Sequence, residues 1–207
     1  MFFGIKKPPC VAHHGLQRSG TNFLLLSLEK LGFKVLNKDE PERSGPRHKH
    51  CRWYAEKEHI PQFLACEYSN QLSANTIRDV DTLCGYPVRT RHLVIRKQAD
   101  AALVSLLNWG LRCTWFSSKT DALASLETLR ADYERYYAFW DELAALTPQC
   151  VQIIDHEELV HDHGLLLSAL HALEFDGLPA EIDLTFSCVP QSPADRKSVF
   201  SLSDLET

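Results

Sequence analysis

Eight residues near the start of the chain, Gly15-Leu16-Gln17-Arg18-Ser19-Gly20-Thr21-Asn22, combine two glycines spaced G-x-x-x-x-G with one arginine. Glycines let a backbone turn its N–H groups toward a single point. A helix starting directly afterwards adds about half a positive charge at its N-terminus, so such a loop suits a phosphate or sulfate. The chemistry this predicts is the binding and transfer of a tetrahedral anion. A loop that hydrolyses nucleoside triphosphates carries Lys where Thr21 stands, for the β- and γ-phosphates, and Ser or Thr where Asn22 stands, for Mg²⁺. Both are missing, so metal-assisted ATP or GTP hydrolysis is disfavoured and the loop's positive charge falls to Arg18. Further cations stand at Ile95-Arg96-Lys97-Gln98-Ala99-Asp100 and at His48-Lys49-His50. Histidine titrates near neutrality, as a base that takes a proton from an attacking hydroxyl or amine must.

Those residues need a frame that brings strand ends together. Val11 to Leu16 reads as a short strand, Gly20 to Asn22 as a turn, and Phe23 to Leu31 as a helix with Leu24, Leu25, Leu28 and Leu31 on one face. Gly32 ends that helix and Phe33 to Leu36 makes a second strand, the order of a βαβ unit. The same grammar returns with Arg91 to Arg96 as a buried-type strand, followed by a helix from Ala99 to about Asn108. Thr120 to Leu146 reads as one long helix, Cys150 to Ile154 as a strand, and Glu157 to Leu173 as a helix broken near Gly164. The prediction is a single α/β domain over residues 1–207, a three-layer sandwich with a mostly parallel central sheet. Ligands of such sheets sit at the C-terminal ends of strands, which singles out residues 16–22 and 96–100. The charged run from Asn37 to Arg47 is expected to be a mobile surface loop.

Composition narrows the partners. Of 207 residues 44% are hydrophobic and 24% charged, ordinary for a packed domain. With 22 Lys and Arg against 27 Asp and Glu, the net charge of −5 offers no general hold on nucleic acid or an anionic membrane, so a polyanion would need a local cluster. No run approaches the roughly 20 apolar residues that span a bilayer. The opening MFFGIKKPPC lacks the apolar stretch of a secretory signal, and the seven cysteines are odd in number and never spaced C-x-x-C. A cytoplasmic protein with reduced thiols is the expectation.

Gln17-Arg18-Ser19-Gly20-Thr21-Asn22-Phe23 resembles the 5′-phosphosulfate loop of sulfotransferases that use 3′-phosphoadenylyl sulfate (PAPS). The resemblance implies a P-loop-like sandwich in which residues 17–22 cradle the 5′-phosphosulfate without a metal. It also implies that Arg96, at a strand end ahead of Asp100 and a helical serine, holds the 3′-phosphate. Ser105 lies one residue later than that pattern, about 100° around a helix, so its contact needs an irregular turn or is absent. Tyr133 to Trp140, Val151 to Ile154 and His156-Glu157-Glu158-Leu159 are similar to the family's aromatic helix, late strand and following helix start. Arg196-Lys197-Ser198 is similar to a basic segment that closes over the 3′-phosphate, with Ser198 where glycine is usual; the C-terminal segment, about 186–207, is then a cover for the donor.

The activity so implied is in-line transfer of a sulfuryl group from PAPS to a hydroxyl or amine, releasing adenosine 3′,5′-bisphosphate. Arg18 neutralises the leaving phosphate, His50 is the base and Lys49 a second cation, with His48 on the same strand side as the reserve. The acceptor is a small molecule, saccharide or peptide, and Trp53, Trp109 or Trp115 would line its pocket. His13 and His14, inside the first strand, read as packed residues. Plainer alternatives stay open: an ordinary strand-to-helix turn at the loop, an ion pair of Arg96 with Asp100, and a solvated basic stretch at residues 48–50. Other functional readings are a non-catalytic nucleotide-binding module of the same fold, a P-loop kinase-like enzyme, and a zinc site from Cys10, His13, His48, His50 and Cys51.

Overall fold

A computed structural model describes residues 10–39, 74–88, 90–186 and 199–205. Those residues form a four-stranded, all-parallel sheet in the order β2-β1-β3-β4, from β1 (Cys10–His14), β2 (Lys34–Val35), β3 (Arg91–Arg96) and β4 (Val151–Asp155). The helices described are α1 (Thr21–Lys30), α2 (Ile77–Cys84), α3 (Ala99–Arg112), α4 (Lys119–Ala124), α5 (Leu126–Leu146), α6 (His156–His161) and α7 (Gly164–Ala172), with a 3₁₀ turn at Leu202–Leu205.

Strand side chains alternate between two apolar cores, which shows that helices cover both faces. Ala12, Val94 and Val151 join the core under α2, α3, α4 and α5, where Trp140 and Leu103 are fully buried. Val11, Leu93, Ile95 and Ile154 join the core under α1, α6 and α7, built on Leu24, Leu28, Leu159 and Leu170. This is the α/β sandwich the hydrophobic pattern predicts. β1 leads through α1 to β2 on one side, while β3 pairs with β1 on the other. The strand order therefore reverses between β1 and β3, and a crevice at their C-terminal ends is where such sheets take ligands.

Local chemistry sets the ends of α1. Gly32 sits at φ +80, its N–H bonds the Glu29 carbonyl, and the Phe33 N–H reaches back to Leu28, the paired bonds of a Schellman stop. Thr76 and Asp79 close a capping box at the start of α2. The single helix expected from Thr120 to Leu146 is two, because the chain breaks step at Ser125, which ends α4 and begins α5. The expected break near Gly164 is present between α6 and α7.

The sheet also buries histidines. His14 Nε2 lies 3.0 Å from His92 Nδ1, and His92 Nε2 lies 3.1 Å from Asp81 Oδ1, so a polar chain crosses from β1 through β3 to α2. His14 packs against the Trp140 ring with centroids 4.5 Å apart. His13 is tied to Asn37, whose Oδ1 accepts from the His13 backbone N–H and whose Nδ2 donates to the His13 carbonyl. Burial lowers the pKa of His14 and His92, outweighing the pull of Asp81 on His92, so both rings are neutral at pH 7. His13 and His14 are packed residues, as the sequence reading has them.

On α3, Asn108 accepts from the Val199 and Phe200 N–H groups and donates to the Phe200 carbonyl. The Phe200 ring is buried beneath it. No helix among the described residues is long and apolar enough to cross a membrane.

Candidate functional site

The loop between β1 and α1 is folded onto the end of β3. A Cβ on Gly15 would stand 2.8 Å from the Ile95 carbonyl oxygen and 2.7 Å from Ser19 Oγ, so only glycine fits. The Ser19 hydroxyl and N–H both bond the Leu16 carbonyl, at 2.7 and 3.1 Å, closing the turn from inside. Tyr137 on α5 pins the junction from below, its hydroxyl donating to the Ile95 carbonyl and accepting from the Leu16 N–H. One turn earlier Tyr133 donates to the Lys97 carbonyl at 2.5 Å. Burial pushes its phenol up to about 12, which keeps the donor proton in place.

Arg18 is the loop's distinctive residue. Its φ is +77, a left-handed conformation that costs a non-glycine residue on the order of 1 kcal/mol and points to a constraint worth explaining. Two contacts from α3 fix the side chain: Nε donates to Ser105 Oγ at 3.1 Å, and the guanidinium lies over the Trp109 ring, 5.2 Å from its centroid. The Ser105 hydroxyl thus accepts from Arg18 on a regular turn of α3. Gly20, at φ +94, caps α1 with no side-chain cap bond, and the first turn of α1 carries no acid to compete for an anion. Thr21 is buried, Asn22 exposed and Gln17 half-buried.

His156, the first residue of α6, closes the other side. A Cβ on Gly20 would stand 2.2 Å from its Cδ2, and Phe23 meets the ring edge-on. Burial lowers the pKa of His156 against the opposing pull of Glu157, so the loop's neighbour is a neutral imidazole.

Arg96 stands at the end of β3, beside the loop, but its charge is already engaged. Nε and Nη2 bond the two oxygens of Asp155 at 2.7 and 3.3 Å, and Nη1 bonds Asp141 at 3.1 Å. The expected alternative partner, Asp100, pairs instead with Arg130. The correction has a simple cause. Arg96 and Asp155 are register partners at the last rung of the β3–β4 ladder, and that pairing across strands outranks the four-residue spacing to Asp100. Arg96, Tyr133, Asp155, Glu157 and Glu158 line an open cleft of about 400 Å³ in which carboxylates outnumber the arginine.

The structure therefore gathers Arg18, Ser105, Gly20 and the start of α1, and places Arg96 nearby in a different electrostatic setting. Lys49, His50, His48, Cys51, Trp53, Arg196 and Lys197 lie outside the described residues. Trp115 is buried in the core rather than on a pocket wall. Among the described residues no three His, Cys, Asp or Glu side chains are gathered as metal ligands would be. Sequence reasoning missed the parts played by Asp155, Asp141, Tyr137 and His156. Only His156 and Asp155 carried a local signal, their position at a strand's C-terminal end.

Fold and site define an α/β protein with a parallel sheet and an arginine-bearing loop at the reversal of strand order. Comparison with protein-family models, curated proteins and solved structures gives no match in any of the three.

Proposed function

We propose that the chain is a sulfotransferase, whose P-loop-like 5′-phosphosulfate loop binds an adenylyl sulfate donor and which moves its sulfuryl group to a hydroxyl or amine acceptor. The observation that carries this reading is Arg18. A strained backbone, a serine and a tryptophan together fix one cation beside α3, on a loop that leads into a helix with no side-chain cap at the reversal of strand order. That arrangement favours an anion, and the absence of Lys at position 21 and of Ser or Thr at 22 favours one bound without Mg²⁺.

The donor suggested by the resemblance is PAPS, and the residues fit its two ends unequally. Loop residues 17–22 suit the 5′-phosphosulfate, whereas Arg96, neutralised by Asp155 and Asp141, does not suit the 3′-phosphate in this arrangement. PAPS, when bound, would supply an activated sulfuryl group. This chain's part is to hold charge at the loop: Arg18 and the N–H groups of the turn balance the leaving phosphate, and their preorganisation costs nothing at the moment of transfer. Lys49 and His50 keep their proposed parts as second cation and base. His50→Ala is expected to leave donor affinity within about twofold while removing most turnover, on the scale of 100-fold or more that general bases contribute. Equal loss of binding and turnover would remove it from that part.

The test of the whole reading is thermal unfolding in metal-free buffer with adenosine 3′,5′-bisphosphate. At about 100 times its dissociation constant the ligand should add roughly 2.7 kcal/mol of stability. Arg18→Ala should weaken that binding about 10- to 100-fold, the scale of a charge-assisted hydrogen bond. Stabilisation by ATP only, and only with Mg²⁺, would replace this reading with a kinase-like one. The engaged Arg96 favours one alternative, nucleotide binding without transfer. Binding of the bisphosphate with no PAPS turnover across hydroxyl and amine acceptors would select it.

A further inference from the structure

We propose that His156 is a second, proton-dependent ligand of the anion held at the β1–α1 loop: the bound anion draws one proton from solvent onto the imidazole, so the loop's affinity for a 5′-phosphosulfate rises as pH falls. This rests on the loop being the anion site and goes beyond it by assigning that site a further binding residue and a pH control. The step forms one N–H bond on the ring, with the proton released by a buffer acid, and leaves the anion unchanged.

The fold places the ring at the loop. His156 begins α6, whereas Arg18 is fixed against α3, and those two helices cover opposite faces of the sheet, so the two side chains approach the loop from opposite sides. The ring meets the loop through its Cδ2–Nε2 edge. A Cβ on Gly20 would stand 2.2 Å from Cδ2 and 3.0 Å from Nε2, which sets Nε2 beside the residue that opens α1. Glycine at position 20 therefore serves both the positive φ of the cap and the close approach of the imidazole. Phe23, on the first turn of α1, meets the ring edge-on and fixes its plane.

The other ring nitrogen supplies an independent observation. Nδ1 is buried without a hydrogen-bond partner, although Glu157 Oε1 stands 3.9 Å away. That carboxylate is steadied by its second oxygen, which accepts from the Gln98 N–H at 3.1 Å. A protonated ring donates from both nitrogens, Nε2 toward the loop and Nδ1 toward Glu157, so the orphaned atom gains a partner in the same step. The side chain is 24% exposed, enough for solvent to deliver the proton. The charged groups facing the ring are Glu157 on α6 and Lys97 just past the end of β3, while its contacts on α1 and in the loop, Phe23 and Gly20, carry no charge. Burial lowers its pKa, with Glu157 opposing and Lys97 assisting, so the free ring is neutral at pH 7. An anion at the loop adds the negative charge that favours the imidazolium.

The experiment is calorimetric titration of the full chain with adenosine 5′-phosphosulfate, in metal-free buffers of different ionisation enthalpy, from pH 5.8 to 8.0. The probe keeps one charge state over that range, since its phosphate is esterified and has no second proton to lose, so protons taken up on binding go to the protein. The wild-type protein is expected to take up about half a proton per anion at its peak and to lose affinity by up to about tenfold toward pH 8, the change given by a rise of about one unit in the imidazole pKa. His156→Gln should bind with little dependence on pH and without that uptake. Glu157→Gln removes the counter-charge and should move the affinity profile to lower pH, a shift that a merely structural part would not produce. The wild-type proton count stands whatever the fate of the variants. Binding by wild-type protein without proton uptake overturns the proposal and leaves the loop reading intact, as does uptake that persists undiminished in His156→Gln. Failure of adenosine 5′-phosphosulfate and adenosine 3′,5′-bisphosphate alike to bind overturns the loop reading itself, and this inference with it.

Discussion

Gly20→Ala is expected to abolish anion binding at the loop and to lower stability, although the change adds one methyl group. Two costs combine. At φ +94 an alanine is held in the left-handed region, worth about 1–2 kcal/mol for a single residue. The new Cβ would also lie 2.2 Å from His156 Cδ2, nearer than carbon atoms approach without contact, so ring or loop must move. The ring is backed by Phe23 and by the first turn of α6, and the loop is tied at Leu16, Ser19 and Tyr137, so neither yields cheaply. Movement of the loop carries Arg18 off Ser105 and Trp109, which is why binding should fall further than in Arg18→Ala. Urea unfolding and bisphosphate titration of Gly20→Ala, His156→Ala and the double variant separate the costs. His156→Ala in the Gly20→Ala background should recover the steric part and leave the backbone part, a coupling of more than 0.5 kcal/mol. Strict additivity of the two substitutions would show that His156 does not bear on the loop.

The same two residues mark how far the sequence can be read. Glycine spacing and an adjoining arginine identify the loop because they are local, and the buried run Arg91 to Arg96 identifies β3 with the bounds the structure has. Gly32 and the break near Gly164 are legible for the same reason: each acts on its own neighbours. The division at Ser125 is not, since the apolar spacing from Leu123 through Leu143 runs on across it. α2 carries a readable signal in Thr76 and Asp79, a capping pair three residues apart, but it is eight residues long and outside any candidate site.

What no local pattern contains is which strand ends meet. Arg96 has Asp100 four residues ahead, a plausible partner along a helix, yet the sheet sets Asp155 opposite it, 59 residues later. His156 reaches Gly20 across the end of β3, and Tyr137 reaches Leu16 over 121 residues. Ser105 is a further case. The sequence offers its hydroxyl no partner, and the structure gives it one 87 residues earlier, the Nε of Arg18. The residues that could carry chemistry are legible from type and spacing, whereas the electrostatic state of each is set by its neighbours in the fold.

Acidification is expected to destabilise the protein well above the range in which carboxylates titrate. His14 is buried in the sheet with its pKa well below 6.5, held down first by burial and then by His92 and His13. His92 is lowered by burial despite its bond to Asp81. In the unfolded chain both titrate near 6.5, so below that pH the unfolded state binds protons that the folded state refuses, and stability falls as pH drops. A histidine that stays neutral below its unfolded pKa lowers stability by up to about 1.4 kcal/mol per pH unit, and His14 acts in this direction. His92 and the half-buried His156, also lowered by burial, act in the same direction. Asp132, pushed up to about 7 by burial, takes up a proton in the folded state over the same range and opposes the loss, so urea unfolding at pH 7.5, 6.5, 5.8 and 5.0 is read in Asp132→Asn, with a flat midpoint from 7.5 to 6.5 and a steep decline below it. Ordinary carboxylates remain ionised at pH 5, so the decline belongs to the histidines. His14→Gln should lessen the slope below pH 6.5 even where it lowers stability at neutral pH, because it removes one refused proton. Constant or rising stability down to pH 5 would mean that the rings accept protons inside the sheet, with Asp81 as the counter-charge.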